Sequence, residues 1–228
     1  MTAQLTEAPL RDVVIGRNSK VWRAVSANQA VAQRFKIAIS HSEVAGFAFT
    51  PADRVWVFSY SRVPAQNSGL LANLQQVREV VYVSTATTNV TKLTHCYQYP
   101  CVKQAAESEA RQRLNARILT LGLVVKDLRE VPGGRTMTTP QSMIEAFILA
   151  PQWPHDGGNS MRLFEPIDAP YVRPWEARLH RLYDSVQWKV RRWPCVLRPV
   201  DLVLRAMGVR WYGYLNLSNR IWSSTISS

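Results

Sequence analysis

Residues 80–103, VVYVSTATTNVTKLTHCYQYPCVK, decide the fold that the sequence predicts. The apolar run at the start is typical of a buried strand, and Ser84 and Thr85 follow at its end. Tyr99 and Lys103 stand four residues apart, so on a helix their side chains share a face. An ammonium close to a phenol favours the phenolate, which lowers the tyrosine pKa toward the range useful for proton exchange with a substrate. A Ser84 or Thr85 hydroxyl would hold the same substrate oxygen. The alternative is an exposed helix turn with a half-buried tyrosine.

The segments around this stretch alternate between apolar runs and helical patterns. Strands are predicted at residues 12–16, 35–40, 44–49, 54–59, 80–84 and 117–124. Helices are predicted from 21 to 31, from 69 to 77 and around Tyr99. Such alternation favours a parallel sheet covered by helices on both faces. The fourteen residues from 41 to 54 leave little room for a helix between the second and fourth strands, so the predicted sheet is abbreviated.

Taken in order, these segments resemble the short-chain dehydrogenase/reductase superfamily, and more its sugar-nucleotide epimerase and dehydratase branch than its other branches. The residues that carry the resemblance are Val14-Ile15-Gly16 with the turn after it, Phe58-Ser59-Tyr60-Ser61, Val83-Ser84-Thr85, Tyr99 with Lys103, and residues 118–122. The resemblance implies a Rossmann-like, doubly wound parallel α/β sheet in a dinucleotide-binding domain over residues 1–130. It also implies that Ser84 or Thr85, Tyr99 and Lys103 form a catalytic triad beside a nicotinamide cofactor.

The first turn departs from the family pattern, which has three glycines. Gly16 alone is kept, and Trp22 stands where a small residue is expected. The positions after Gly16 hold Arg17, Asn18, Ser19 and Lys20. Backbone N–H groups at a helix N-terminus bind phosphate without glycines, and Arg17 and Lys20 would add positive charge. The alternative is a turn that has lost its ligand and carries solvated basic residues.

Cofactor preference depends on the end of the second strand, where a carboxylate would accept hydrogen bonds from the ribose of NAD. Ser40, His41 and Ser42 stand there, and the first carboxylate is Glu43. We therefore expect NADP rather than NAD, with Arg17 near the extra phosphate. The predicted cofactor-binding residues are Gly16, Arg17, Asn18, Ser19, Ser40, His41, Ser59, Tyr60 and Ser61. His41 is also compatible with an ordinary exposed loop position.

Residues 131–228 differ in composition from the part before them, and they are predicted to be a substrate-closing segment followed by helices. A helix is predicted from 140 to 149. Arg135 follows Pro132-Gly133-Gly134, and its guanidinium can bind phosphate oxygens bidentately. In the family that the sequence resembles, the region after the sixth strand closes over the substrate, so the resemblance makes Arg135 a candidate for the phosphate of a sugar nucleotide. An exposed turn arginine is the alternative.

From residue 173 onward the chain is basic and aromatic. Apolar residues recur at helical spacing from 179 to 193, and a second helix is predicted from 199 to 208. The net charge of the chain is +12. Basic amphipathic helices with tryptophans at their polar boundary can lie on an anionic membrane surface, or they can pack on the sheet domain. Nucleic-acid binding is not expected, because no known nucleic-acid-binding motif is present.

The cysteines and the hydropathy of the sequence indicate in which cellular compartment the protein is expected. Three cysteines, Cys96, Cys101 and Cys195, show no metal-binding or disulfide spacing, so no metal site is expected and the thiols are expected to be reduced. The sequence shows neither a basic-then-apolar leader nor an apolar run of membrane-spanning length. We therefore expect a cytoplasmic protein. If the basic C-terminal helices bind the membrane, the protein would lie at its inner face. Homodimer formation is left open.

The resemblance implies an NAD(P)-dependent epimerase, dehydratase or ketoreductase acting on a nucleotide-linked or lipid-linked sugar, in surface polysaccharide biosynthesis. Tyr99 would be the acid/base, and Lys103 would lower its pKa and hold the nicotinamide ribose. The alternative is a degenerate, non-catalytic member that serves as a dinucleotide-binding regulatory or membrane-associated scaffold protein. The poor glycine turn favours the second hypothesis, whereas the retained Ser, Tyr and Lys favour the enzyme.

Overall fold

The computed structural model describes residues 10–154, 158–207 and 213–226. The strands are β1 (Arg11–Ile15), β2 (Ile37–Ile39), β3 (Asp53–Val57), β4 (Glu79–Thr85), β5 (Arg117–Leu121), β6 (Leu123–Val125), β7 (Gly134–Pro140), β8 (Ser160–Leu163) and β9 (Glu165–Ala169). The α-helices are α1 (Lys20–Val25), α2 (Gln29–Arg34), α3 (Pro64–Ala72), α4 (Gln98–Leu114), α5 (Gln141–Leu149), α6 (Pro174–Val190), α7 (Pro194–Ala206) and α8 (Gly213–Ile226). In these ranges, none of the helices combines the length and the apolar character needed to cross a bilayer.

Six strands form one parallel sheet in the order β2-β1-β3-β4-β5-β8. The order reverses at β1, because β2 is added on one side of it and β3 on the other. This is the doubly wound, Rossmann-like α/β sheet expected from the sequence, and the fold prediction is confirmed. In such sheets, ligands bind outside the carboxyl ends of the strands at the point of reversal. That point lies between β1 and β3.

Helices cover both faces of the sheet, as the alternating pattern predicts. Successive residues of a strand point to opposite faces, and β1 shows this clearly. Val13 and Ile15 belong to the core under α3 and α4, while Val14 belongs to the core under α1, α2 and α5. Strand residues are therefore buried on both sides, which explains why the strands read as continuous apolar runs.

The front of the sheet is shorter than predicted, because residues 44–49 do not form a strand. His41–Gly46 is a 3-10 helix instead. The Ser40 backbone N–H donates to Glu43 Oε2 at 2.6 Å, which stabilises the helical turn locally. Phe47 and Phe49 then pack their rings against each other with centroids 4.8 Å apart and join the core.

The helix predicted from 21 to 31 is divided in two. Asn28 separates α1 from α2, and its side chain accepts a hydrogen bond from the Ala30 N–H at 3.0 Å. Asparagine is among the preferred residues for starting a helix, which explains the break. The helix predicted from 69 to 77 begins earlier, at Pro64, because proline is favourable in the first turn.

The predicted sixth strand, residues 117–124, ends at Leu121 in the main sheet. After Gly122 the chain enters a second, three-stranded sheet with the order β6-β7-β9. A Cβ on Gly122 would lie 2.3 Å from the carbonyl oxygen of Met137, so only glycine allows the chain to cross so close to β7. The apolar run continues through Gly122, so hydrophobicity alone does not show that the chain passes from one sheet to the other there.

The C-terminal region is helical, as predicted, but α7 begins at Pro194 with Pro199 inside it, and α8 was missed. A third core joins these helices to the segment before α4, through Tyr97, Tyr183, Leu197 and Leu217 among others. The division of the chain at residue 130 stays a prediction. Strand β8, from beyond that point, pairs with β5 and completes the main sheet.

Candidate functional site

The turn after β1 holds three strand ends together. Gly16 has φ of +109°, and a Cβ there would lie 2.7 Å from the backbone nitrogen of Ser59 after β3. The N–H groups of Gly16 and Arg17 both donate to the carbonyl oxygen of Ile39 at the end of β2, at 2.8 and 3.0 Å. The Ser19 hydroxyl accepts from the Trp22 N–H at 3.0 Å and caps α1. The glycine thus serves close packing of the turn, and the first amides of the turn are already hydrogen-bonded.

Trp22, the unexpected large residue, lies between α1 and the sheet. It is buried, and its ring contacts Phe35 and Phe58 with centroids 5.3 and 5.5 Å away. An indole fills the space that a small residue would leave at this interface. Aromatic packing therefore joins the first helix to the core on this face of the sheet.

A cleft of about 830 Å³ opens at the point where the strand order reverses. This volume lies within the range of about 300–1,000 Å³ usual for ligand sites. The predicted cofactor residues that line it are Gly16, Asn18, Ser19, Ser40, His41, Ser59, Tyr60 and Ser61. The structure thus brings together residues from the ends of β1, β2 and β3.

Arg17 is the exception among the predicted cofactor residues. Its guanidinium pairs with Glu43 Oε1 at 2.9 Å. The hydrogen bond from the Ser40 backbone and the charge of Arg17 lower the pKa of Glu43, which keeps the carboxylate ionised. Arg62, which sequence reasoning missed, is exposed and lines the cleft instead. Its isolated position in a loop gives no pattern from which it could be identified.

His41 lines the cleft, and both nitrogens of its ring have hydrogen-bond partners. Its Nε2 lies 3.2 Å from the Gln66 carbonyl oxygen, and its Nδ1 lies 2.9 Å from Ser59 Oγ. A carbonyl oxygen only accepts, so Nε2 carries the proton and Nδ1 accepts from the hydroxyl in the neutral tautomer. The end of β2 therefore offers the cleft an ordered imidazole and hydroxyl groups.

Lys103 lies on α4 and is only 7% exposed. Its Nζ donates to the Val83 carbonyl oxygen at 3.0 Å and lies 5.4 Å from the ring centroid of Tyr60. Burial lowers the pKa of Lys103 to about 8. About nine in ten molecules would still carry the ammonium at pH 7.

Tyr99 lies between two other tyrosines, on the same helix as Lys103. Its ring centroid is 5.3 Å from that of Tyr60 and 5.6 Å from that of Tyr214. Burial raises the pKa of Tyr99 to about 12, and a hydrogen bond with the Thr85 hydroxyl acts in the opposite direction. The expectation of a lowered tyrosine pKa therefore does not match the structure, because burial disfavours the phenolate and the Lys103 ammonium is directed to the Val83 carbonyl oxygen. Tyr99 is a neutral phenol at pH 7.

The two candidate hydroxyls at the end of β4 point to different partners. Thr85 hydrogen-bonds with Tyr99, whereas Ser84 Oγ donates to Glu107 Oε2 at 2.5 Å. Adjacent strand residues face opposite sides, which accounts for the separation. Glu107 was missed by sequence reasoning, although it follows Lys103 at i+4 spacing on α4. Thr85 is thus the hydroxyl grouped with Tyr99.

Tyr60 connects the cleft to this group, because it lines the cleft and contacts both Tyr99 and Lys103. Tyr99 also lines a second cavity, of about 480 Å³, which α7 borders with Arg198 and Arg205. The protonated phenol of Tyr99 therefore lines one cavity, and Tyr60 links this phenol and the buried ammonium of Lys103 to the other. Such a group can donate a proton to an oxygen that becomes negative during a reaction.

Arg135 is not brought together with Tyr99. It lines a separate cavity of about 290 Å³ beside α6 and α8. Tyr214 on α8 contacts Tyr99, whereas Asn216 and Asn219 of the same helix line the Arg135 cavity. The assignment of Arg135 to the phosphate of a sugar nucleotide stays a prediction, and the structure places Arg135 in a different cavity from the one that Tyr99 lines.

Comparison with known proteins gives a likeness of fold. No family model matches the sequence, and no curated protein sequence matches it significantly. UDP-glucuronic acid 4-epimerase from Bacillus cereus, solved with a UDP-sugar and NAD, is similar over 68% of this chain and 78% of its own, with 9% identity and a TM-score of 0.49. A nucleoside-diphosphate-sugar epimerase from Pseudomonas aeruginosa is similar over 62% and 68%, with 15% identity and a TM-score of 0.44. An archaeal thiolation-reductase di-domain of a non-ribosomal peptide synthetase is similar over 92% and 89%, with 10% identity and a TM-score of 0.49. Because these identities and scores are low, the Rossmann-like assignment rests on strand order and register.

Proposed function

We propose that this protein is an NAD(P)-dependent oxidoreductase or epimerase of the short-chain dehydrogenase/reductase type. One observation carries the proposal: the cleft at the reversal point adjoins, through Tyr60, a group formed by Thr85, Tyr99 and Lys103. Residues from four strand ends, those of β1 to β4, and side chains from α4 thus converge on one region. The degenerate scaffold remains the second candidate, and the occupied amides of the Gly16 turn favour it.

The cleft fits a dinucleotide in volume and in the type of its polar groups. Asn18 and Ser19 would hold the pyrophosphate, while Ser40 and His41 would hold the ribose. When bound, a nicotinamide cofactor would supply hydride transfer. Ile39 already accepts from two turn amides, so side chains rather than the backbone would make most of the phosphate contacts.

In this proposal, Tyr99 is the proton donor to a substrate oxygen. A pKa of about 12 keeps its proton in place until a negative charge develops nearby. Thr85 orients the phenol through their hydrogen bond, and the ammonium of Lys103 stabilises negative charge on the same side of α4. A protonated Tyr99 thus suits the reduction of a carbonyl group, in which the tyrosine gives its proton to the substrate oxygen.

The second cavity is proposed to hold the substrate. Tyr99 lines it, and Arg198 and Arg205 supply positive charge suited to phosphate oxygens. Arg198 Nε donates to the Cys96 carbonyl oxygen at 2.8 Å, which fixes the direction of the guanidinium. A nucleotide-linked or lipid-linked sugar carries phosphate of this kind, and a place in surface polysaccharide biosynthesis belongs to the same proposal.

NADP is proposed as the preferred cofactor, with Arg62 in the role first expected of Arg17. The Glu43 carboxylate near the end of β2 is paired with Arg17, so its repulsion of a 2′-phosphate is reduced. Calorimetric titration with NADPH, NADP, NADH and NAD tests this directly. We expect tighter binding of the phosphorylated pair, with at least a tenfold loss for Arg62→Gln and a smaller change for Arg17→Gln.

The outcomes of that titration bear on both candidate functions. Binding of at least one of the four nucleotides is required by the enzyme proposal but is also expected of a dinucleotide-binding scaffold, so loss of turnover in Tyr99→Phe is the result that separates the two. Absence of heat with all four favours the scaffold. Equal affinity for both pairs, unchanged in Arg62→Gln, contradicts the NADP preference alone.

We also propose that α6 and α7 contact an anionic membrane surface. Large apolar side chains are exposed on or beside these helices, namely Trp175, Leu182, Trp193, Leu202, Val203 and Met207. Residues 172–207 contain eight Lys or Arg against three Asp or Glu. Exposed apolar groups beside positive charge suit the boundary of an anionic bilayer.

Vesicle flotation tests the membrane contact. We expect the protein to float with phosphatidylglycerol-containing vesicles and not with pure phosphatidylcholine, and Leu202→Gln/Val203→Gln to weaken flotation. Leu128→Gln is the matched control, because Leu128 is 57% exposed but lies outside these helices. Absence from both kinds of vesicle contradicts the proposal, and a doubled mass in light scattering would instead indicate that these helices join two copies.

A further inference from the structure

The cavity beside α8 contains a concentration of positive charge outside the proposed active site. It has a volume of about 290 Å³ and lies between α6, α8 and the turn before β7. Its ionisable lining consists of Arg135, Arg181, Arg220, His180 and Asp184, and burial lowers the pKa of His180, which favours the neutral imidazole. Three guanidinium groups thus face a single carboxylate. The cavity is at the lower end of the range of about 300–1,000 Å³ for ligand sites, so it suits a small group.

This cavity lies on the other side of α8 from Tyr99. Each residue turns a helix by about 100°. Tyr214, which contacts the Tyr99 ring, is therefore roughly opposite to Asn216 and Ser223, which line the cavity. A ligand in the cavity and a substrate at Tyr99 would be separated by the body of the helix. The two sites are distinct.

One wall of the cavity is fixed by close packing. A Cβ on Gly133 would lie 2.5 Å from the Tyr171 ring, and one on Gly134 would lie 2.6 Å from the Tyr171 hydroxyl oxygen. Gly134 also has φ of +95°. The two glycines allow the turn that carries Arg135 to lie directly under the tyrosine. The wall therefore holds a hydroxyl and a guanidinium at neighbouring positions.

The charge balance inside the cavity is positive. Arg220 Nη1 pairs with Asp184 Oδ2 at 3.0 Å, and its guanidinium lies 4.5 Å from the Trp188 ring centroid. Within residues 10–154, 158–207 and 213–226, neither Arg135 nor Arg181 forms an ion pair with a carboxylate. Two positive charges are thus available to a ligand.

A buried donor accompanies these charges. The Nδ2 of Asn216 is inaccessible to solvent and has no hydrogen-bond partner among the described residues, and Asn216 lines the cavity. This nitrogen is shielded from solvent, so the Asn216 side chain has to rotate before an acceptor supplied by a ligand in the cavity can satisfy it. Neighbouring Asn219 is already fixed, because its Oδ1 accepts from the Met137 N–H at 3.0 Å.

We propose that this cavity is a second ligand site, which binds a phosphate dianion such as the phosphate of a phosphomonoester. Arg135 and Arg181 would neutralise its two charges, and the Asn216 amide would donate to one of its oxygens. The inference goes beyond the proposed function, because neither the cofactor cleft nor Tyr99 takes part in it.

Calorimetry with inorganic phosphate in a phosphate-free buffer tests the site. We expect one phosphate per chain, at least tenfold weaker binding in Arg135→Gln, and a similar loss in Asn216→Leu. Arg178→Gln is the matched control, because Arg178 is an exposed arginine of α6 outside the cavity lining. Arg135 is also exposed, so its replacement keeps the fold and retains the affinity for NADPH or NADH measured for the unaltered chain.

Two further probes distinguish the sources of the phosphate group. Tighter binding of glucose 1-phosphate than of inorganic phosphate, lost in Arg135→Gln, assigns the site to a soluble phosphomonoester. Flotation with phosphatidic acid vesicles that is lost in Arg135→Gln and kept in Arg178→Gln assigns it to a lipid headgroup. Either result supports the site. Absence of saturable binding to every probe, or equal weakening in Arg178→Gln, overturns it whether or not nucleotides bind.

Discussion

Replacement of Lys103 by methionine should make the protein more stable at pH 7. The pKa of Lys103 falls from 10.5 to about 8 on folding because the ammonium is desolvated. At about 1.4 kcal/mol per pKa unit, the buried charge costs ~3 kcal/mol. The hydrogen bond from Nζ to the Val83 carbonyl offsets about 1 kcal/mol of that cost and is lost in the variant. We expect the free energy of unfolding of Lys103→Met to rise by about 1–2 kcal/mol.

The pH dependence gives the sharper test. Between pH 8 and 10.5 the unfolded chain binds a proton at Lys103 that the folded chain does not, so stability increases as pH rises. From pH 7 to pH 10 this contribution of Lys103 grows by about 2–3 kcal/mol. Burial raises the pKa of Tyr99 and of other tyrosines, among them Tyr82, Tyr97 and Tyr183, which makes stability fall as pH approaches and passes 10. The difference between the unaltered protein and Lys103→Met therefore carries the test, and the measurement ends at pH 10.

Urea unfolding followed by tryptophan fluorescence at pH 7, 8, 9 and 10 measures this difference. The increase in stability with pH that Lys103 causes should be absent in Lys103→Met. It should be kept in Lys92→Met, which removes an exposed lysine. Parallel curves for the unaltered protein and Lys103→Met would refute the reasoning, because they would mean that the ammonium is solvated in the folded state. A gain in stability together with lost turnover would indicate that the lysine is kept for function.

Three further outcomes follow from the site and from the turn beside it. Tyr99→Phe should lower turnover by at least a hundredfold with little change in cofactor affinity, and unchanged turnover in a steady-state assay would exclude Tyr99 as the acid. Thr85→Ala should lower kcat more than Ser84→Ala does, because only Thr85 hydrogen-bonds with the phenol, and the reverse order would contradict the assignment. Gly16→Ala should lower the free energy of unfolding by at least about 2 kcal/mol, because the residue has a positive φ and its methyl group would meet the Ser59 backbone. Gly69→Ala is the control in the same denaturation assay. It lies in open space on α3, so this change should be neutral or stabilising by up to about 1 kcal/mol.

Much of the fold could be predicted because buried parallel strands leave a local signal. Each of the six strands in the main sheet except β8 overlaps a predicted apolar run, with bounds that differ by one to three residues. The local sequence pattern gave wrong strand and helix bounds where a contact between distant residues decides the structure. The run through Gly122 looks continuous, and only the nearby Met137 carbonyl shows why the chain must leave the sheet there. Helix α8 was missed because its polar residues are buried against other elements and obscure its apolar face; Ser218, for example, donates to the Ala86 carbonyl oxygen.

In the candidate site, too, some features could be predicted from the sequence and others could not. Residues at strand ends were placed together because parallel strands end at one edge of a sheet. Side-chain pairing was not predictable, because Arg17 and Glu43 meet across 26 positions of sequence. Arg62 and Arg198 were missed for the same reason, since nothing local separates a cavity arginine from a solvated one. The pKa of Tyr99 depends on the rings of Tyr60 and Tyr214, which spacing along α4 does not reveal.

The pairing of β8 with β5 has a consequence for how the chain is made. During synthesis the first five strands of the main sheet emerge before Ser160–Leu163, and β5 stays an unpaired edge until that segment arrives. An open edge that includes buried Ile118 and Leu119 is a template for pairing with other chains. A nascent or truncated chain that ends before β8 would therefore be prone to aggregation and would depend on a chaperone that shields strand edges.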